Sequence, residues 1–153
     1  MRRVIPANKV NHDYEKVLSE FVSALKNRLG EYLLMVYLTG SYARGDANDN
    51  SDLYVFCIFS TINQYVLENV GHCARNTSIP YDLLEINTQC LSVDEYKSKI
   101  FEDWSEYAIA ELNSVLLYGE QLVKIENINE KIQLSYKKNL ANILMSVRHY
   151  ICV

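Results

Sequence analysis

A sheet layered with helices, in an α/β or α+β arrangement, is predicted from three features of this sequence. Four short apolar runs bounded by turn residues read as buried strands. Segments with apolar residues at three- and four-residue steps lie between and around them and read as amphipathic helices. No repeat or low-complexity segment interrupts the pattern, and 153 residues with 49% apolar side chains suit a single domain over 1–153.

The elements follow in order. Asn11 to Leu29 carries Tyr14, Val17, Leu18, Phe21, Val22, Leu25 and Leu29 at helical spacing, with Gly30 as the stop. Tyr32 to Thr39 is a continuous apolar run that ends at Gly40, and Leu53 to Phe59 is a second, after a polar stretch from Asp46 to Asn50. A helix is expected from Ile62 to Ala74 and a third strand from Tyr81 to Ile86, entered through Ile79-Pro80. Ser92-Val93-Asp94-Glu95 has the spacing of a capping box, after which Tyr96, Ile100, Trp104, Tyr107, Ala108 and Glu111 mark a long helix. Val115 to Gly119 reads as a fourth strand. Ile132, Tyr136, Leu140, Ile143, Leu144, Val147 and Ile151 predict a final helix at about 129–151.

Composition excludes several classes of function. The formal net charge of −4 and the lack of a dense Lys/Arg run argue against an extended nucleic-acid footprint, which needs cations to displace counterions. Cys57, Cys73, Cys90 and Cys152 form no C-x-x-C pair and have no histidine at ligand spacing, so reduced thiols are expected. No apolar stretch reaches the length of a membrane span and the first residues lack a secretory pattern, so a cytoplasmic protein is expected. That expectation makes Arg44-Gly45-Asp46 as an adhesion tripeptide and Asn76-Thr77-Ser78 as a glycosylation acceptor chance matches. His12, His72 and His149 read as surface or helix residues, and Trp104 with Tyr107 as helix packing.

The chemistry is carried by Gly40-Ser41-Tyr42-Ala43-Arg44-Gly45, a five-residue polar spacer, and Ser51-Asp52. A triphosphate needs N–H groups and hydroxyls brought close to its oxygens. Gly40 removes a blocking side chain, Ser41 adds a donor and opens a helical turn, and Asp52 at the next strand can hold a divalent cation against the same phosphates. A P-loop is excluded, because Asp46-Ala47 stands where Lys and Ser/Thr are required.

This motif resembles the opening motif of the nucleotidyltransferase superfamily with the polymerase-β-like palm, Gly-Ser-x-Ala-Arg-Gly, a loop, then Ser-Asp-x-Asp. The likeness is to its small bacterial and archaeal members and to the aminoglycoside adenylyltransferases. It implies the mixed sheet of that fold flanked by helices. It also implies a nucleotide turn at Gly40, Ser41 and Arg44, with Arg44 as an ion-pair partner at the edge. Asp52 and Asp82 become catalytic metal ligands for Mg2+ or Mn2+, with Asp82 preparing the acceptor, and ATP or another nucleoside triphosphate is the substrate. The activity implied is transfer of a nucleoside monophosphate, AMP from ATP, to a hydroxyl of a small molecule or partner protein. Many relatives continue into, or pair with, a helical protein, which makes a helical partner or a homodimer an expectation at the C-terminal helix.

The pattern breaks at one place. Period-2 alternation would set the family's second carboxylate beside the first, about 7 Å along the strand, and here that position is Tyr54. A neutral phenol replaces neither the charge nor the second ligand. Asp46 and Asp49 are the substitutes at hand, both in the loop, while Glu85 has the wrong strand parity. A catalytically impaired nucleotide-binding or protein-interaction module is therefore the alternative reading.

Overall fold

The computed structural model describes residues 7–81, 84–102, 114–122 and 140. Its elements are α1 (Ala7–Leu29), β1 (Leu33–Thr39), α2 (Ser41–Arg44), β2 (Leu53–Phe59), α3 (Gln64–Ser78), β3 (Ile86–Ser92), α4 (Val93–Glu102) and β4 (Val115–Gly119). The four strands make one mixed sheet in the order β3-β2-β1-β4. β1 runs antiparallel to β2 and β4, while β2 and β3 are parallel and joined through α3. Among the described residues no helix is long and apolar enough to cross a membrane.

Alternation along the strands assigns each face its cover. Leu53, Val55, Cys57 and Phe59 of β2, with Val36 and Leu38 of β1, meet the buried stripe of α1 (Val17, Leu18, Phe21, Leu25, Leu29) and that of α3 (Val66, Val70, Cys73, Ala74). The opposite face holds a smaller cluster of Met35, Tyr37, Phe56, Ile58, Leu91 and Tyr96. Tyr37 stacks on Phe56 with centroids 4.9 Å apart and planes 2° from parallel, and Tyr96 of α4 closes against Tyr37. α4 thus covers one end of this face. Among the described residues no helix covers the other end, with Tyr54 and Asn87.

Local signals explain the boundaries. Asn63 Oδ1 accepts the Val66 N–H at 2.9 Å and starts α3. The predicted capping box is present: the Glu95 N–H donates to Ser92 Oγ at 3.2 Å and the Ser92 N–H to Glu95 Oε2 at 2.8 Å. β2 and β4 have the predicted bounds, and α1 begins at Ala7, four residues before the predicted start at Asn11. The third strand is a correction. It runs Ile86–Ser92 rather than Tyr81–Ile86, because the Tyr81 N–H bonds to Ser78 O and the Leu84 N–H to Tyr81 O, two turns that delay extension. The first ladder bond is Leu53 N–H to Glu85 O at 2.8 Å. The predicted helix beyond Glu102, and the final helix at about 129–151 apart from Leu140, lie outside the described residues.

Candidate functional site

The site is built where β1 ends. Gly40 takes φ 78° and ψ −156°, a backbone region essentially reserved for glycine. A Cβ there would also meet Tyr54 Cδ2 at 3.3 Å. The backbone favours glycine here, and the tyrosine ring would have to give by a few tenths of an ångström to admit a Cβ.

α2 is a single turn whose first internal bond runs from the Arg44 N–H to Gly40 O at 3.1 Å, and no side chain caps its start. The N–H groups of Ser41, Tyr42 and Ala43 precede that bond, so the helix itself does not use them. These donors, with the Ser41 hydroxyl, are what the turn offers an anionic oxygen. Gly45 closes the turn in the left-handed region at φ 83°, and its N–H bonds to Ser41 O. Arg44 Nε meets Asp46 Oδ2 at 3.4 Å, an exposed pair that ties the turn to the loop and adds little energy.

The loop to β2 is held by its own polar side chains. Ser51 Oγ accepts the Asn48 N–H at 2.8 Å, Asn48 Oδ1 accepts the Asn50 N–H at 2.9 Å, and the Ser51 N–H returns to Asn48 O at 2.9 Å. This network delivers Asp52 to the mouth of β2. Buried Tyr42 packs its ring at 4.9 Å from that of Tyr14. Burial first, then the charges of Asp52 and Asp49, push its phenol above the ordinary tyrosine range. Tyr42 therefore stays neutral beside the carboxylates.

On the face of the sheet opposite α1 and α3, Tyr54 is in register with Thr39 on one side and with Asn87 on the other. Asn87 Nδ2 donates to Asp52 Oδ2 at 3.0 Å. Tyr54, 49% exposed, stands next to this pair. A cleft of about 270 Å³ opens beside them, lined by Tyr54, Val55, Phe56, Asn87, Thr88 and Gln89. A larger groove of about 690 Å³ runs between α1, α2 and β4. Leu38 and Leu117 place it on the other face of the sheet, where it shares Tyr42, Ala43, Arg44 and Gly45 with the motif.

Of the residues predicted for the site, Gly40, Ser41, Arg44 and Asp52 are brought to one end of the sheet. Asp82 lies outside the described residues. Because β3 starts at Ile86, the residue beside Tyr54 on that strand is Asn87, which a search for carboxylates passed over. Its signal was the alternation of Asn87 and Gln89 with Ile86, Thr88 and Cys90. The pair of divalent ions implied by the motif does not fit the described residues. Asp52 has an amide donor on one oxygen and a phenol in the next position, and no group of three His, Cys, Asp or Glu among the described residues could hold a metal ion. Asp46 is tied to Arg44. An amide donor and a phenol are not the oxygen-rich anionic set that Mg2+ or Mn2+ selects.

Comparison with known proteins bears on the family. Residues 18–138 match the nucleotidyltransferase domain family. A stretch of 54 residues is 37% identical to "Putative protein adenylyltransferase MJ0604" of Methanocaldococcus jannaschii, covering 35% of this chain and 54% of that relative, about half its length. Among solved structures, one named as a putative nucleotidyltransferase from Sulfolobus solfataricus has a TM-score of 0.52 at 20% identity, covering 82% of this chain and 97% of the other. A toxin-antitoxin structure with AMP-PNP has a TM-score of 0.50 at 14% identity, covering 89% and 98%. At these identities the structural likeness speaks for the fold alone. The matched residues run from α1 through the glycine-serine turn, Asp52 and all four strands, and the chain belongs to the nucleotidyltransferase domain family.

Proposed function

We propose that this chain is a nucleotide-binding member of its family. It takes a nucleoside triphosphate, ATP foremost, at the Gly40-Ser41 turn, and its transfer chemistry is impaired. The observation that carries this reading is the Asp52–Asn87 hydrogen bond beside Tyr54. The binding half of the motif is intact, whereas the positions flanking Asp52 hold neutral side chains. Ser41 and the N–H groups that α2 itself does not use can orient phosphate oxygens. One charge-assisted hydrogen bond of this kind contributes about 1.5–3 kcal/mol, so Ser41→Ala should weaken ATP binding modestly and Gly40→Val more.

Transfer of AMP to a hydroxyl of a small molecule or protein is the second reading. It is favoured by family membership and needs Asp82 to supply what Tyr54 and Asn87 do not. Titration of ATP and the other triphosphates, with and without Mg2+, coupled to a pyrophosphate assay, separates the two. Binding without pyrophosphate release supports the binding module. Repeated turnover with AMP attached to an acceptor overturns it, and absence of binding removes the nucleotide from the site. A helical partner or second copy at the segment about 129–151 belongs to the same proposal: Leu140 on its apolar stripe is 58% exposed. Light scattering and pull-down test that association.

A further inference from the structure

Three of the cysteines gather under α3, away from the nucleotide turn. Cys57 of β2 and Cys90 of β3 are direct partners in the parallel register. Both face α3, where Cys73 is buried. Cys57 is fully buried, whereas Cys90 is only half-buried on a strand at the edge of the sheet. The register sets the Cys57 and Cys90 side chains next to each other on that face.

We propose that Cys90 is a peroxide-oxidised thiol and Cys57 its resolving partner, the two closing an intrachain disulfide between β2 and β3. Neighbouring strands lie about 4.8 Å apart, inside the range of about 4.4–6.8 Å that a disulfide allows between Cα atoms. In this parallel pair the two side chains stand side by side, about one strand spacing of 4.8 Å apart, and their Cβ atoms must close to about 3.8 Å. The bond is therefore strained and easily reduced, the property of a reversible rather than a structural disulfide.

The ionisation of the pair runs in the same direction. The neighbouring Cys57 thiol pulls the Cys90 thiol below its ordinary value against the opposing effect of burial. Cys57 is pushed well up by the neighbouring Cys90 and by burial. Cys73 is raised by burial. The half-buried thiol is thus also the one most readily ionised, and the thiolate is the nucleophile.

The step balances with a peroxide as oxidant. The Cys90 thiolate attacks a peroxide oxygen and the O–O bond breaks. With hydrogen peroxide the leaving hydroxide takes a proton and departs as water. Cys90 becomes a sulfenic acid. The Cys57 sulfur then attacks the Cys90 sulfur, the S–S bond forms and the S–O bond breaks. The hydroxide takes the Cys57 proton as a second water. Two thiols are oxidised by two electrons and one peroxide is reduced.

The test treats the full chain with hydrogen peroxide, blocks remaining thiols under denaturing conditions and maps the peptides by mass spectrometry. A Cys57–Cys90 link is expected, with a loss of about 2 Da as two hydrogens leave. It should be reversed by dithiothreitol and retained in Cys73→Ser and Cys152→Ser chains. Cys90→Ser should abolish it. In Cys57→Ala, checked for folding by circular dichroism, Cys90 should stop at a dimedone-reactive sulfenic acid. A link through Cys73 or Cys152, a Cys90–Cys90 link between chains, or a Cys90 still reduced while the other thiols oxidise would overturn the proposal. Because the readout is covalent and uses no nucleotide, its failure is independent of that of the nucleotide reading.

Discussion

Replacing Asn87 with aspartate probes the most unusual contact in the site. The substitution removes the bond from Nδ2 to Asp52 Oδ2, 3.0 Å long, a bond to a charged group that contributes about 1.5–3 kcal/mol. It also sets a second carboxylate against the first. At about 4 Å two unit charges repel by about 1 kcal/mol in water and about 4 kcal/mol at an effective dielectric of 20. Both residues are partly exposed, so the lower part of that range applies, and the two effects together destabilise the variant by roughly 3 kcal/mol. For a chain of this size, about 2–4 °C per kcal/mol makes that a fall of about 6–12 °C in Tm. Mg2+ or Mn2+ at millimolar concentration should restore most of it, because a cation between two carboxylates reverses the repulsion and binds only the folded state. Adding Tyr54→Asp should enlarge the cation effect. At 49% exposure, the new charge at 54 is solvated, not buried. Thermal unfolding with and without the cation is the assay. An Asn87→Asp chain with unchanged Tm, or one that falls in Tm but ignores the cation, would refute the view that Asn87 stands where a metal-binding acid could stand.

The remaining predictions concern the frame around the site. Gly40→Ala should lose about 1–3 kcal/mol through its backbone conformation, and denaturant unfolding should show most of that loss persisting in a Tyr54→Ala background, where the 3.3 Å contact is gone. Ser92→Ala should lose about 1 kcal/mol by breaking the capping box, measured as a lower denaturant midpoint with an unchanged slope. Tyr42 holds its proton more tightly folded than unfolded. Its contribution to stability is therefore complete below the ordinary tyrosine value of about 10 and is lost as pH rises through the higher folded value. A stability profile across that alkaline limb should be flatter for Tyr42→Phe.

The legible part of the fold was the part with one dominant signal. β2 and β4 are bounded by turn residues and packed on a partner strand, so their apolar runs end where the strands end. β3 was misread because two properties separate there. Tyr81 to Ile86 has the apolar look of a buried strand, yet its start is spent in turns. Ile86–Ser92 contains Asn87, Thr88 and Gln89 and is held by parallel pairing to β2, a long-range interaction that local composition does not register. The same shift hid Asn87. The glycine-serine turn was readable because its geometry depends on residues adjacent in sequence. The neutral partner of Asp52 arrives from 35 residues away and belongs to tertiary structure. The pairing of Cys57 with Cys90 was invisible for the same reason, since no spacing rule links the positions of two strands joined through a helix.

The parallel pairing of β2 with β3 also sets an order of events during folding. A parallel neighbour cannot be reached by a tight hairpin, so the chain must close the whole crossover through α3 before the first ladder bond forms. Such non-local closure comes late and slows the search, because entropy is lost before contacts compensate it. Asp52 can meet Asn87 only once that crossover is complete, whereas the Gly40 turn is local and can form with β1 and β2. A chain emerging from synthesis or refolding from denaturant would therefore hold the Gly40-Ser41 turn before it holds the Asp52–Asn87 pair, and the gap between those two moments is set by α3.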